Sequence, residues 1–488
     1  MSPTGTLLKL SPSLSKDDDV KTKSLNFLTK VENFFRSFGS VNGQDFYNLT
    51  SAETPAFVAT KEEELTTEKV IGDIKPQQLA RYSNTLSPEL LEKLLEYSTK
   101  ITGKGYHQDD GKSSDSSSLS VNVELSNTMF NLLSGIYSEL GLCRGKGGSG
   151  KLLLLKPCFG YYASHAEKNG VDIEFLETEN GIIDPEKLDN ILKENADIKA
   201  FLFNYPNNPC GTLLTKDNAE AIAKILSRHK YVTIISDDIF FPVCYDGENS
   251  YHLSQCKNEY PDITKNMILL NGLSKIGAAG LGISWAIIPK NMFPESSEEL
   301  EGGPAASFFG HIPNLLCQQV AYQFLTSPKL QTFIGAQMQH YRENLEDLKK
   351  DKPHCIKLVT EPKGTNVCLL DFSGLKDLSY KDKNTEIVKT LKTDLDVAEF
   401  LFYYAGIALV PGNLFFIDEN KMQLRITLSM QPNELKKCFG KFDSLISKLG
   451  RESENLEVIE RLIEDKPSPS LRAPAVSLPD DGITRMAS

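Results

Sequence analysis

Three polar residues stand at or just past the ends of predicted strands, and their types suit covalent chemistry on a small molecule. Asn208 follows the run IKAFLFNYP, Asp237 closes VTIISDD, and Lys275 follows MILLNGLS. A neutral lysine amine attacks carbonyl groups, a carboxylate holds a positive charge in place, and an amide donates hydrogen bonds. Ligands of open α/β sheets bind at the carboxyl ends of the strands, so we expect the three residues to converge on one ligand.

Each of these residues also has an ordinary structural interpretation. Asn208 lies between prolines and is a typical turn former, Asp237 is a possible helix cap, and Lys275 is a possible solvated loop cation. Taken singly, each residue fits that interpretation better. Taken together, and in this order along the chain, they favour a shared site.

Apolar runs from about residue 125 onward are continuous and alternate with helical patterns, as in strands covered on both faces. The sequence therefore predicts an α/β fold with a mainly parallel sheet covered by helices. The predicted strands cover 151–157, 171–177, 198–206, 231–238, 266–273 and 283–289.

Amphipathic patterns predict helices between and around these strands. They fall at about 87–100, 127–142, 184–195, 327–350 and 433–449. A strand pair, GIALVPG and MQLRITLS, precedes the last helix and predicts a smaller α+β domain. The predicted organisation is a tail at 1–22, an N-terminal segment at 23–105 that joins the small domain and dimer contacts, a large domain at 106–325, a small domain at 326–463 and a polar tail at 464–488.

Composition limits the classes of function. The 488-residue chain carries 65 acidic and 53 basic residues, which argues against nucleic acid as a partner. The start of the sequence lacks a signal-peptide pattern, and no apolar run is long enough to span a membrane. Nine dispersed cysteines without CxxC spacing fit reduced thiols, so we expect a cytoplasmic protein.

A glycine-rich stretch lies between a predicted helix and a predicted strand. GKGGSGK at 145–151 approaches a phosphate loop, but Leu152 replaces the required hydroxyl residue and the stretch runs from a helix into a strand. That order is the reverse of the one that directs backbone N–H groups at phosphate. We interpret it as a connection. No zinc-type cysteine or histidine spacing is present, so we expect no metal site.

Lysine, aspartate and asparagine after successive strands are what pyridoxal phosphate (PLP) requires: an amine for a Schiff base, a carboxylate for the ring nitrogen and a donor for the phenolic oxygen. Over about residues 70–450 the sequence resembles the class I and II aminotransferases, which are PLP enzymes of fold type I. The resemblance rests on YPNNPCG (205–211), ISDDIF (235–240), GLSKIGAAGLGISW (272–285), LSNTMFN (125–131), KPCFGYY (156–162), VPGNLFF (410–416) and LRITLS (424–429).

The resemblance implies a role for each matching residue. Lys275 would form the Schiff base and transfer the proton of the substrate Cα, Asp237 would pair with the ring nitrogen, and Asn208 would bond the phenolic oxygen. Phe159 would stack on the ring, and Arg425 would hold the substrate carboxylate as a bidentate pair. The implied remaining cofactor-binding residues are Ser126, Asn127 and Thr128 at the phosphate, and Ser274 beside the lysine.

The sequence departs from the family pattern mainly around the phosphate. GLGISW stands where GLRIGW is expected, so Gly282 replaces an arginine that binds phosphate, and Gly272 replaces a hydroxyl residue. Phe240 replaces a tyrosine at the phenolic oxygen, and Asn127 stands where glycine is usual. Fewer charge-assisted bonds predict lower cofactor affinity unless another cation substitutes.

The resemblance implies a homodimeric, cytoplasmic PLP enzyme that transfers the amino group of an α-amino acid to a 2-oxo acid. Two alternatives stay open. A lyase or a β/γ-replacement enzyme would use the same cofactor, and a non-catalytic member would keep the fold for binding.

Overall fold

The computed structural model describes most of the central part of the chain. The described residues are 16–37, 47–50, 87–103, 106–108, 119–246, 250–293, 312–382, 385–447, 449 and 455–456. The predicted C-terminal tail at 464–488 and residues 109–118 of the polar loop lie outside these ranges.

An eight-stranded sheet is the centre of the large domain. Its order is β2-β3-β9-β8-β7-β6-β4-β5, and only β9 runs antiparallel to its neighbours. The strands of the chain, in order, are β1 Tyr47–Asn48, β2 Tyr106–Gln108, β3 Leu119–Ser126, β4 Lys151–Lys156, β5 Asp172–Glu177, β6 Ile198–Asn204, β7 Thr233–Asp237, β8 Met267–Gly272, β9 Ser284–Pro289, β10 Lys357–Leu358, β11 Val367–Asp371, β12 Ser379–Asp382, β13 Val388–Thr390, β14 Ile407–Ala408, β15 Val410–Pro411, β16 Gln423–Thr427 and β17 Asn455–Leu456.

The predicted strands all form, and the mainly parallel sheet is confirmed. Strand β9 is antiparallel because the chain returns from β8 through a short connection, which leaves no room for a crossover helix. Strand β3 was not predicted. Its residues alternate between buried and partly exposed positions, as expected for a strand near the sheet edge rather than its centre.

Helices cover the sheet and build the small domain. Cap residues fix several of their starts: Asp184 accepts from the amides of Glu186 and Lys187, and Thr215 accepts from the amide of Asn218. The α-helices are α1 Lys16–Ser37, α2 Pro88–Thr102, α3 Met129–Glu139, α4 Tyr161–Lys168, α5 Pro185–Glu194, α6 Lys216–Leu226, α7 Asp262–Lys265, α8 Leu315–Thr326, α9 Leu330–Asp351, α10 Asp394–Ala405 and α11 Pro432–Ile446.

The small domain is built on the four-stranded sheet β10-β11-β16-β15, with α9 and α11 packed together beside it. The predicted strand pair appears as β15 and β16, which are antiparallel, with Val410 opposite Arg425. A second sheet has the order β13-β12-β17. The predicted α+β character of this region is therefore present in the structure.

The N-terminal part contacts both domains. Helix α1 packs on the small domain, where the Phe27 ring meets Phe402 at 5.7 Å and Asn413 Nδ2 donates to Ser24 Oγ at 2.8 Å. Because α1 begins at Lys16, residues 16–22, which we placed in a polar tail, are helical. Helix α2 lies against the large sheet instead, where Trp285 Nε1 donates to Ser98 Oγ at 3.2 Å.

Within the described ranges, no helix combines the length and the apolar character needed to cross a membrane. The glycine-rich stretch at 145–151 connects α3 to β4, and Lys151 pairs with Asp197 at 3.1 Å. The structure agrees with its interpretation as a connection.

Truncating Ile268 should test the core of the central strands. Ile268 in β8 is 0% exposed, whereas Ile182 on the surface is 50% exposed, so the same substitution removes very different contacts. We expect Ile268→Ala to lower the free energy of unfolding by about 2–5 kcal/mol, and Ile182→Ala to change it by less than about 0.5 kcal/mol. Chemical denaturation of the two variants measures the difference, and equal losses would contradict this packing.

Candidate active site

The carboxyl ends of β6, β7 and β8 lie side by side and bring three predicted residues to one edge. Asn204 is in register with Asp237, and Asp237 with Leu270, so the three strands end together. Asn208 and Lys275 follow β6 and β8 within a few residues. The parallel arrangement therefore produces the convergence that the sequence predicts.

Asp237 is a buried carboxyl group held from several sides. The Tyr162 hydroxyl donates to its Oδ2 in a short hydrogen bond, and the Ile239 amide donates to Oδ1 at 3.0 Å. Asn204 Nδ2 fixes the backbone by donating to the Asp237 carbonyl oxygen at 2.9 Å. Burial raises the pKa of Asp237 to about 7, although the hydrogen bonds from the Tyr162 hydroxyl and the Ile239 amide and the nearby Lys275 charge act to lower it.

Lys275 lies in a π-helical turn, Ser274–Ala278, directly after β8. Gly277 has φ of 100°, and a Cβ there would lie 2.4 Å from the Phe333 ring of α9, so only glycine fits this turn. The turn keeps Lys275 half-buried, with its Nζ 5.3 Å from the centre of the Phe240 ring. The amine thus lies near the end of β7, beside Asp237.

Asn208 and Arg425 join the large and small domains through a hydrogen bond. Arg425 Nη1 donates to Asn208 Oδ1 at 3.2 Å, and Nη2 donates to the Thr50 carbonyl oxygen at 2.7 Å. The Asn208 backbone amide donates to Asn204 Oδ1 at 3.0 Å. Arg425 thus uses Oδ1 of Asn208 and leaves its Nδ2 group for another acceptor.

Arg425 is a buried cation that forms no ion pair with a carboxylate of the described residues. Its side chain lies over the Phe415 ring at 5.0 Å, and its Nε is buried with no hydrogen-bond partner in that part of the chain. Burial lowers the pKa of Arg425 to about 10, so the group stays charged at neutral pH. A buried charge with an unpaired donor is the arrangement that an anionic ligand completes.

Hydroxyl and amide groups gather where β3 leads into α3. Ser126 is fully buried, and Asn131 Nδ2 donates to Ser126 Oγ at 3.2 Å and to Asn127 Oδ1 at 2.8 Å. Thr128 is the N-cap of α3, and its Oγ1 accepts from the Asn131 amide at 3.3 Å. The start of this helix favours an anion because its first N–H groups have no carbonyl partner within the helix.

Gly282, where the family pattern has arginine, lies beside this helix start. Its φ is 56°, and a Cβ added there would meet the Asn127 carbonyl oxygen at 3.4 Å. The left-handed backbone favours glycine and disfavours a long side chain. Where the resemblance leads us to expect an arginine, this chain therefore has a glycine in a left-handed turn.

Aromatic rings line the approach to Asp237. Phe159 is half-buried, lies 5.1 Å from the Tyr161 ring and meets Tyr162 edge-on at 5.6 Å. Tyr162 in turn donates to Asp237. Phe159 is thereby fixed relative to the buried carboxyl group.

A cavity of about 270 Å³ adjoins Arg425 on the side of α1. Its lining combines residues of α1, of the start of α4 and of the segment after β15. The lining includes the apolar and aromatic side chains beside the guanidinium and Arg425 itself: Leu25, Leu28, Phe159, Tyr161, Phe415 and Arg425. The guanidinium therefore lies at the wall of a space large enough for a small ligand.

The structure brings together most of the predicted site residues and adds others. Sequence reasoning missed Tyr162, Asn204 and Thr50, whose atoms contact Asp237, Asn208 and Arg425. Tyr162 lies in the quoted segment KPCFGYY, three residues after Phe159, so helical spacing was a usable signal. Ser274 begins the lysine turn, and its predicted contact with the cofactor stays a prediction.

Comparison with known proteins agrees with this geometry. Residues 138–442 match the family described as aminotransferase class I and II. The match covers more than half of the chain, and the chain belongs to this family. The predicted family is thus confirmed, and with it the family's cofactor, PLP.

Individual relatives are distant. The aspartate/prephenate aminotransferase of Thermus thermophilus is 23% identical over 366 residues, covering 74% of this chain and 82% of that protein. A probable aspartate/prephenate aminotransferase of Rickettsia felis is 26% identical over 241 residues, so the match spans 48% of this chain and about half, 54%, of that relative.

The solved structures show the same fold. The crystal structure of the aspartate aminotransferase from Rhizobium meliloti matches with a TM-score of 0.68, covering 90% of this chain and 100% of that chain at 17% identity. A Thermus thermophilus aspartate aminotransferase variant matches with a TM-score of 0.63 at 21% identity. The predicted fold is confirmed.

The site residues fit PLP in their chemistry. Asp237 is a buried acid next to which a protonated ring nitrogen would be stabilised, and Asn208 has an Nδ2 group that Arg425 does not use. The helix start at Ser126 and Thr128 suits a phosphate group. The buried, unpaired Nε of Arg425 suits a carboxylate.

The raised pKa of Asp237 predicts a pH-dependent stability difference in cofactor-free protein. Its folded pKa, about 7, lies above the ordinary value of 3.8, so its stabilising contribution is complete below about pH 4 and is lost as pH rises to 7. Asp237→Asn does not titrate and should gain stability relative to wild type between about pH 5 and 8, by at most about 1.4 kcal/mol per pH unit.

Melting curves of the two cofactor-free proteins across this pH range measure the effect. A difference in melting temperature that stays constant with pH would show that Asp237 does not titrate in this window.

Proposed function

We propose that this protein is a PLP-dependent aminotransferase, which moves the amino group of an α-amino acid to a 2-oxo acid through Lys275. The observation that carries the proposal is the pairing of an amine and a carboxyl-binding cation around one site. Lys275 and Asp237 lie at the strand ends, and Arg425 is joined to the same edge through Asn208.

Arg425 supports an amino acid or oxo acid as the substrate. Its guanidinium is buried, charged at neutral pH and without a carboxylate among the described residues. A planar guanidinium binds a carboxylate through two parallel hydrogen bonds, and both substrates of an aminotransferase carry such a group next to the reacting carbon. The cavity beside Arg425 would receive the rest of the substrate.

Lys275 would act first as the covalent attachment point and then as the acid and base at the substrate Cα. When bound, PLP supplies an electron sink that makes the Cα proton removable. The half-buried position of Lys275 beside the Phe240 ring keeps the amine at the strand ends, close to Asp237. The turn, in which Gly277 packs closely against Phe333, keeps Lys275 directly after β8.

Asp237 and its partners would hold the charge of the cofactor ring. A cationic ring nitrogen beside the carboxyl group would lower its pKa, so that the acid ionises where it now titrates near neutrality. Tyr162 and the Ile239 amide keep the carboxylate oriented by donating to both oxygens. Phe159 would stack on the ring, and Ser126, Asn127 and Thr128 would bind the phosphate.

Two further parts of the proposal concern the state of the protein in the cell. All nine cysteines are unpaired thiols in the structure, which supports a reducing, cytoplasmic environment. We also propose a homodimer, as the family resemblance implies, and sedimentation of the purified protein would measure its mass in solution.

Analysis of products from purified protein with PLP tests the reaction itself. A ¹⁵N-labelled amino acid and an unlabelled 2-oxo acid should yield a new ¹⁵N-amino acid, and a panel of donors from aspartate to phenylalanine would find the preferred substrate. Ammonia with a 2-oxo acid would indicate the alternative lyase, and a complete lack of conversion across the panel would favour the non-catalytic alternative.

Replacing Arg425 by lysine should weaken substrate binding much more than cofactor binding. Lysine keeps the charge but loses the planar pair of donors, and we expect kcat/KM for the amino acid to fall on the order of 10²-fold. Arg342→Lys is the matched control because Arg342 is exposed on α9 and, within the described part of the chain, donates a hydrogen bond only to the Tyr245 carbonyl oxygen, at 2.8 Å. An equal change of kcat/KM in both variants would contradict the proposed role of Arg425.

A further inference from the structure

Three residues on adjacent strands form one row at the phosphate end of the site. Ser126 of β3 is directly opposite Ser284 of β9, and Ser284 is directly opposite Gly272 of β8. Directly opposed residues of antiparallel strands project from the same face of a sheet. Ser126, Ser284 and the missing side chain of Gly272 therefore share one face.

That face is the one covered by the start of α3. Ser126 Oγ accepts from Asn131 Nδ2 of α3 at 3.2 Å, which fixes the direction of the Ser126 side chain. Ser284, its neighbour in the row, projects toward the same helix start. Its hydroxyl therefore lies next to the groups that suit a phosphate.

The Ser284 hydroxyl has no hydrogen-bond partner among the described residues, although Ser284 is only 9% exposed. Buried hydroxyl groups in proteins are nearly always paired. An unpaired hydroxyl on the sheet face covered by the start of an eleven-residue helix is therefore a candidate donor to an anion.

Gly272 leaves the space that the Ser284 side chain occupies. A Cβ on residue 272 would lie 3.1 Å from Ser284 Oγ and 3.2 Å from the Ile283 carbonyl oxygen. The family pattern has a hydroxyl residue at position 272, and the pattern GLRIGW has glycine where Ser284 stands. In this chain the two are exchanged: glycine stands at position 272 and serine at the directly opposed position 284.

We propose that the hydroxyl of Ser284 donates a hydrogen bond to the PLP phosphate, replacing the hydroxyl that the family carries on β8. The assignment rests on the proposed function and makes it more specific. The Ser284 hydroxyl, beside Ser126 and the α3 N-terminus, would supply one hydrogen bond to a phosphate site that lacks the family's arginine because Gly282 stands in its place.

Equilibrium titration with two ligands tests this role. PLP and pyridoxal differ only in the phosphate, and their dissociation constants can be measured from the change in absorbance of the full-length protein. Ser284→Ala should raise the PLP dissociation constant roughly tenfold or more, since it removes a bond to a charged group. The pyridoxal dissociation constant should stay within about twofold of wild type, because pyridoxal has no phosphate to lose.

Ser120→Ala is a matched control. The Ser120 hydroxyl also has no partner among the described residues, but it lies at the opposite end of β3, about 20 Å from Ser126 along the strand. This variant should bind PLP and pyridoxal as wild type does. Melting temperatures of both variants show whether either substitution disturbs the fold.

Exchanging the two residues provides a positive test. In the double variant Gly272→Ser/Ser284→Gly, the hydroxyl returns to β8 and the 3.1 Å conflict disappears with the Ser284 side chain. We expect its PLP dissociation constant to recover most of the loss seen in Ser284→Ala.

The outcomes separate this inference from the proposed function. If wild type binds PLP and Ser284→Ala leaves PLP affinity unchanged, or weakens PLP and pyridoxal equally, Ser284 does not contact the phosphate and only this inference fails. If wild type shows no PLP binding at all, the proposed function and the inference fail together. Selective loss of PLP affinity in Ser284→Ala, with Ser120→Ala unchanged, establishes the contact.

Discussion

The burial of Arg425 is the constraint on which the arrangement of this protein depends. Removing a guanidinium from water costs several kcal/mol unless hydrogen bonds and an opposite charge compensate. Two carbonyl-type oxygens, from Asn208 and Thr50, accept from it, and Phe415 covers one face. Those partners come from the large domain, the N-terminal part and the small domain. The guanidinium therefore makes all of these contacts only when the three parts are assembled.

Two buried groups, one cation and one acid, determine what the site can bind. Arg425 is a cation that lacks an anion among the described residues, and Asp237 is an acid whose pKa of about 7 leaves it ready to ionise beside a cation. In the proposed function, an amino acid would bring a carboxylate to Arg425, and a protonated cofactor ring would bring a positive charge to Asp237. Lys275, beside Asp237, would hold the cofactor covalently until the substrate amine replaces it, and would then be free to transfer the Cα proton.

Much of the fold and of this edge could be predicted from the sequence. Continuous apolar runs identified the strands of the parallel core, because strands covered on both faces have little polar alternation. Asn208, Asp237 and Lys275 could be predicted because each directly follows such a strand. Arg425 was found through the resemblance, since a lone arginine in LRITLS gives no signal of burial.

Contacts between segments distant in sequence could not be predicted in this way. The Tyr162 hydroxyl reaches Asp237 across 75 positions, and Thr50 bonds Arg425 across 375. The row of Ser126, Ser284 and Gly272 depends on strand register, which hydrophobic pattern alone does not determine when a connection is short. Residues 16–22 look like a polar tail in composition, yet they continue the helix that buries Ser24 and Phe27.

Identifying the lysine that holds PLP tests the central claim most directly. Purified protein would be mixed with PLP, its visible absorbance recorded, the covalent link reduced with borohydride, and the modified peptide located by mass spectrometry. The account predicts a visible band, one pyridoxyl group on Lys275, and loss of both in Lys275→Ala. Absence of a band, or modification spread over surface lysines with Lys275 unmodified, would contradict it.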